Sequence, residues 1–293
     1  MFRSFDKQAT NALLPAIETG NLEELARQLE ARADSDARTR RGVTFLTRAV
    51  TLQNVWVIEA LLDAGADVNG GCAEPNDQVF RLMPPSQRHV RSQPEENPFR
   101  RAGWTPVMEA TWVRAHHLIE LLVNRGANPN ATTERGHTAL MEAAGQGIAT
   151  VTQTLLDHGA EINQRNKEGW SALHFAAARG FLDVMQILLG SGADLNLPDE
   201  KGYTPLMRAV LNGNQSTRML LRQGAGASAA SHDGYSAMSL AVRDGNPSIV
   251  SMLLDHGAGQ IMKSWRGKKI VESAKQHGNF SDIYKLLKEF WKS

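Results

Sequence analysis

Cysteine is almost missing from this chain. Cys72 stands alone among 293 residues, so no internal disulfide can form and the fold must rest on packing, a usage that fits a reducing compartment. Long apolar runs are missing as well: none reaches the ~18 residues of a membrane span. The opening MFRSFDKQATNALLPAIETGN has neither an apolar stretch of signal-peptide length nor a small-residue cleavage pattern. The expectation is a cytoplasmic protein with no membrane partner. An excess of one charge is the third absence. Thirty-two basic residues against 31 acidic ones leave a net charge of +1, without the basic face that nucleic acid demands, so no nucleic-acid partner is expected. Rings make up only 6% of the chain, which makes their placement informative.

Glycine is plentiful, and it is periodic. Residues 103–110 read GWTPVMEA, and near copies follow: GHTALMEA from Gly136, GWSALHFA from Gly169, GYTPLMRA from Gly202 and GYSAMSLA from Gly234, with a worn GKKIVESA from Gly267. A second series, Gly65, Gly126, Gly159, Gly192, Gly224 and Gly257, is followed each time by alanine. Two independent signals at a period of about 33 residues identify a repeat array rather than ordinary domains. Within one copy, residues 169–196, Ser171 is placed to cap a short alanine-rich helix over 172–178 that Gly180 closes. A second helix follows with Val184, Ile187 and Leu188 on one face, and Gly192 sits just past its end, where a left-handed residue caps best. No copy of this size can bury its apolar stripe alone, so stacking on neighbours is obligatory.

The 33-residue period and the segments TPVMEA at Thr105, TPLMRA at Thr204 and SALHFA at Ser171 resemble the ankyrin repeat, whose signature is T-P-L-H-x-A. The resemblance implies an all-α ankyrin-repeat solenoid of about eight helix–turn–helix units with degenerate terminal caps and one long loop insertion. The units fall at 8–35, 36–69, 102–130, 131–163, 164–196, 197–228, 229–258 and 259–293, with the insertion at 70–101. The motif histidine survives as His174 and is replaced by Thr47, Met108, Met141, Met207 and Ser239. In the family it serves internal hydrogen bonding, so these replacements bear on local stability and not on fold. Asn69, Asn130, Asn163 and Asn196 occupy a loop position that asparagine hydroxylases modify in some ankyrin proteins; otherwise they satisfy loop backbone groups.

By the same resemblance, the residue after each finger glycine lines a concave surface. That row reads Val43, Trp104, His137, Trp170, Tyr203, Tyr235, and the short helices add Arg48, Glu109, Glu142, Phe175, Arg208, Leu240, with Trp112 and Arg179 beside them. Two readings stand together: the rings cover the backbone of the next finger, or they form a stripe of rigid anchors. The partner-binding set is therefore Trp104, Glu109, Trp112, His137, Glu142, Trp170, Phe175, Arg179, Tyr203, Arg208 and Tyr235. Charge of both signs around an aromatic centre suits a protein partner bound by a monomeric scaffold. The insertion offers an apolar cluster at Phe80, Leu82 and Met83, either a tolerated loop or one that plugs a cognate enzyme, as an inhibitor or immunity protein would.

Chemistry of the catalytic kind has little support. Glu109 and Glu142 hold equivalent places in adjacent copies, on a groove expected to be open and flanked by arginines, where nothing raises a carboxyl pKa. His116 and Glu120 offer two ligands with no third. His158 and His256 recur in LLDHGA, where a histidine can pair with a helix C-terminus. No phosphate-binding G-x-x-x-x-G-K-[ST] occurs. No enzyme activity, cofactor or metal is expected.

Overall fold

The computed structural model describes residues 5–39, 42–73, 102–259, 270–272, 274 and 281–292. Its helices come in pairs. In order they are α1 (Lys7–Thr19) and α2 (Leu22–Glu30), α3 (Phe45–Thr51) and α4 (Val55–Asp63), α5 (Pro106–Trp112) and α6 (His116–Asn124), α7 (Ala139–Gln146) and α8 (Ala149–Asp157). Then come α9 (Ala172–Arg179) and α10 (Leu182–Gly190), α11 (Pro205–Val210) and α12 (Asn214–Arg222), α13 (Ala237–Arg243) and α14 (Pro247–Leu253), and lastly α15 (Ser281–Lys292). None of these is long and apolar enough to cross a membrane.

The chain forms two compact units, Met1–Glu142 with Gln153–Ala160, and Ala143–Thr152 with Glu161–Ser293. In the first, the leading helices α1, α3 and α5 pack in series and α2 packs on α4. In the second, α9, α11 and α13 form one series, α10, α12 and α14 another, and α15 packs on α14.

Local sequence explains both series. Thr44, Thr105, Thr138, Thr204 and Ser236 each accept the backbone N–H three residues on, at 3.1, 3.4, 3.2, 3.5 and 3.2 Å, so α3, α5, α7, α11 and α13 each start on a side-chain cap. Pro106 and Pro205 then stand in the first turn, where a missing N–H costs nothing. Ala49, Ala110, Ala176, Ala177, Ala209 and Ala241 are fully buried, and their small side chains let successive leading helices approach. The second helices bury larger groups at a repeated spacing: Val57, Ile58, Leu61; Leu118, Ile119, Leu122; Val184, Met185, Leu188; Ile249, Val250, Leu253. In α10 this shifts the expected stripe. Met185 takes the buried place assigned to Ile187, which is half-buried.

Between helix pairs the chain makes a finger. In the first unit Thr39 N–H donates to the Val43 carbonyl at 2.8 Å and Thr133 N–H to that of His137 at 3.0 Å; in the second, Asn166, Asp199 and Ser231 do so to Trp170, Tyr203 and Tyr235 at 3.0, 2.9 and 2.7 Å. Each turn contains a glycine with φ between 72° and 81°. Neighbouring fingers are joined by one further backbone bond: Ala73 to Gly42 and Glu134 to Ala102 in the first unit, Glu200 to Glu168 and His232 to Lys201 in the second.

The insertion fits this scheme. Cys72 N–H donates to the Trp104 carbonyl at 2.8 Å and Gly103 N–H to the Cys72 carbonyl at 2.9 Å, the same two bonds that close the 133–137 finger. Ala73 and Ala102 take the tip positions, so the added length enters at a finger tip. Phe80, Leu82 and Met83 lie outside the described residues.

Gly169 tests the finger geometry. Its φ is +79°, and a Cβ there would meet the Glu200 nitrogen at 2.5 Å, whereas Gly192, with φ +90°, has nothing within 4 Å. Gly192→Ala should cost only the left-handed backbone penalty, about 1–2 kcal/mol. Gly169→Ala should cost distinctly more, because the next finger must also move. Urea unfolding of the two variants decides it, and equal losses would remove the close-approach argument.

Candidate functional site

The finger places a ring and the short helix places a side chain five residues later, and the two meet within one copy. In the first unit, Trp104 Nε1 donates to Glu109 Oε2 at 3.0 Å, while the Thr51 hydroxyl donates to Glu109 Oε1 at 2.8 Å. His137 Nε2 lies 2.9 Å from Glu142 Oε2. In the second unit the Trp170 and Phe175 rings lie 5.0 Å apart at 59°, and the Arg208 guanidinium sits 4.5 Å from the Tyr203 ring centroid. The aromatic row and the short-helix row are thus one set of i, i+5 partners.

Several expected site residues are therefore spent on the scaffold. Trp104 is only 6% exposed and Glu109 is fully buried, so neither is the groove-facing anchor or specificity carboxylate that the repeat pattern implied. The open groove around Glu109 and Glu142 is not found: one carboxylate is enclosed by Trp104 and Thr51, and the other is half-buried against His137. Trp112 is half-buried at the end of α5. The asparagine row closes loops. Asn69 accepts from Asn128 N–H at 2.7 Å and Asn130 donates to the Gly159 carbonyl at 3.0 Å; in the second unit Asn163 and Asn196 accept the Asp194 and Gly226 N–H at 2.9 and 2.7 Å. Among the described residues, no three His, Cys, Asp or Glu side chains gather where a metal ion could sit.

The second unit keeps an open site. A pocket of about 590 Å³ lies between the 166–170 and 199–203 fingers, lined by Trp170, Phe175 and Arg208 below and by Lys167, Glu168, Glu200 and Lys201 at the rim. Arg208 is held from three sides. Its guanidinium lies 4.5 Å from the Trp170 centroid and equally far from that of Tyr203, and Nη2 donates to Asp199 Oδ2. Such a cation between two ring faces gains from their quadrupoles. Asp199, almost fully buried, also accepts the N–H groups of Lys201 and Tyr203 at 2.9 Å each. Burial alone would raise the Asp199 carboxyl, but the bonds from Arg208, Tyr203 and Lys201 outweigh it and hold it below the ordinary 3.8. Tyr235, on the following finger, is 40% exposed with Arg243 5.9 Å from its centroid. Arg179 is exposed, and its Nη1 donates to the Gly145 carbonyl at 2.6 Å.

Asp199 was missed in reading the chain, although a signal existed. Four residues before Val43, His137, Trp170, Tyr203 and Tyr235 stands a short acceptor: Thr39, Thr133, Asn166, Asp199 and Ser231. Each accepts the N–H of the residue four places on, at 3.3, 3.2, 2.8, 2.9 and 3.0 Å.

The description "ankyrin repeats (3 copies)" matches residues 73–166, 107–199, 154–230 and 173–264, more than half of the chain. The chain belongs to the ankyrin-repeat family. It is also 31% identical to YahD of Escherichia coli (strain K12), which is named for its ankyrin repeats, over 42% of this chain and 83% of that protein. Ankyrin repeats generally mediate protein–protein interactions and are typically non-catalytic, and the helical pairs found here are the all-α repeat architecture of that family.

In this ankyrin chain His174, the surviving motif histidine, ties one copy to the next. Nδ1 accepts from the Ser171 N–H at 3.2 Å and lies 3.0 Å from the Ser171 hydroxyl, while Nε2 lies 3.1 Å from the Tyr203 carbonyl and donates to it. Burial pushes its pKa from 6.5 down to about 4, against the raising effects of the Tyr203 carbonyl and Asp199. The unfolded chain therefore binds more protons. The stability His174 supplies is complete above pH 6.5 and is lost as pH falls from there through about 4. The loss should be on the order of 3 kcal/mol at its limit. Urea unfolding at pH 7, 5.5 and 4.5 should show this slope in the wild type and not in His174→Gln. The stability Asp199 supplies is present above its ordinary 3.8 and is lost only as pH falls below it, outside the window. Parallel slopes would assign the acid sensitivity elsewhere.

Proposed function

We propose that the chain is a non-catalytic binding module that receives a protein partner in the second unit, at the finger pocket of Trp170, Phe175 and Arg208. The observation that carries this reading is the pocket itself. It has a floor of two half-buried rings and a stacked guanidinium, inside a rim of Lys167, Glu168, Glu200 and Lys201. An aromatic and arginine centre within a charged rim is the composition of a binding hot spot, and its volume lies in the range of pockets that enclose a side chain or small ligand. Tyr203 and Tyr235 extend the same row of rings, and Tyr235 offers its outer face. Preorganisation supports the reading too. Arg208 is fixed by Asp199 and two rings before any partner arrives, so less side-chain entropy is lost on binding.

A Trp170→Ala/Phe175→Ala variant and a Trp56→Ala variant separate this site from general stickiness. Trp56 is 70% exposed on α4 and lies outside the pocket. Once both variants are shown to melt as the wild type does, affinity capture from native lysate should yield a partner retained by wild type and Trp56→Ala. The pocket variant should lose it by at least tenfold. Retention by the pocket variant would move the binding face elsewhere.

A further inference from the structure

The lining of the pocket is not neutral in what it leaves unused. Of its carboxylates, Asp199 is saturated by three donors and Glu200 is held by Arg165 Nη2 at 2.9 Å, which leaves Glu168 alone among the acids. Its cations are differently placed. The Arg208 guanidinium gives one donor, at Nη2, to Asp199 and makes no other hydrogen bond among the described residues, with Nε buried and unpartnered. A guanidinium carries five N–H donors in a planar fork, and a buried one left unmet asks for an acceptor. Lys167 and Lys201, both exposed at the rim, form no ion pair among the described residues. Arg208 and these two ammonium groups thus line a space whose floor is the Trp170–Phe175 ring pair.

We propose that this pocket is a receptor for an acidic segment of a protein partner, in which an Asp or Glu side chain meets Arg208 while a neighbouring apolar side chain packs on Trp170 and Phe175. The inference rests on the docking reading above and names the chemistry of what docks. The carboxylate is the complement of the fork, since guanidinium and carboxylate pair through parallel charge-assisted bonds. Lys167 and Lys201 add a field that draws an anion in. The 590 Å³ volume exceeds what a carboxylate fills, and the ring floor accounts for the remainder as an apolar contact. A polyanion fits less well, because Glu168 and Glu200 stand on the same rim.

The test uses the full chain and three sets of synthetic peptides, about ten residues long, read by fluorescence anisotropy. One set places Asp or Glu beside Phe, Tyr or Leu, the second replaces the acid with Asn or Gln, and the third carries phosphoserine there. Wild type should bind the acidic set at least tenfold tighter than the amide set. Lys167→Glu/Lys201→Glu, at exposed positions that should not disturb folding, should abolish that preference. Arg208→Lys, with an unchanged melt, should lower it by keeping the charge and losing the fork. Equal binding of acidic and amide peptides overturns the inference, as does a preference that survives both variants. Tighter binding of phosphoserine peptides than acidic ones assigns the pocket to phosphate instead. If Trp170→Ala weakens both sets while wild type binds them equally, docking stands and the carboxylate reading falls. Binding of neither set, or binding indifferent to Trp170→Ala, ends both.

Discussion

Five of the fingers are closed by an N–H that reaches the carbonyl four residues on, and by a side-chain acceptor that takes that residue's N–H in return. At Asp199 and Tyr203 both bonds are 2.9 Å long. This turn is possible because the residue before the ring is a glycine with positive φ, a conformation that a side chain would strain. The rest of the organisation depends on it. Within each unit it stacks neighbouring fingers through one backbone bond, and it sets the ring at a fixed distance from the short helix that follows. The i, i+5 partnership is a consequence of that placement.

One geometry yields different outcomes because the partners differ chemically. Trp104 with Glu109 makes a buried hydrogen-bonded pair that Thr51 completes, and the carboxylate disappears from the surface. A buried charge is tolerable only when its lone pairs are met. Phe175 brings no carboxylate to the Trp170 indole, and the two rings pack on each other as a floor of the pocket. Tyr203 with Arg208 is intermediate. The cation is stacked and paired to Asp199, yet the fork keeps donors without acceptors among the described residues. Scaffold and site are therefore the same device with different side chains in it. The finger into which the added length enters is closed by the same pair of bonds, at Cys72, Gly103 and Trp104, and a finger tip is where added chain disturbs the fewest backbone bonds.

Much of the fold was legible in the chain. The glycine period and the alanine-rich short helix over 172–178 are local signals, and helices stand at Ala172–Arg179 and Leu182–Gly190 where they suggested. Ile187 was misplaced because helical periodicity distinguishes a buried stripe from its flank only weakly when Met185, Ile187, Leu188 and Leu189 are all apolar. The site was less legible. Trp104 and Trp170 occupy equivalent positions in the sequence, yet one is buried and the other floors a pocket, and nothing at those positions alone separates them.

By itself the sequence determined the repeat, its helical pairing and the row on which the rings fall, because these follow from backbone conformation and short-range capping. Tertiary structure decided which rings and charges remain available. That choice depends on what stands five residues later in the same copy and what the neighbouring finger supplies, as Trp170 does for Arg208. Burial and pairing are properties of side chains brought together across helix and turn, and period and propensity do not encode which of two equivalent positions will be left open.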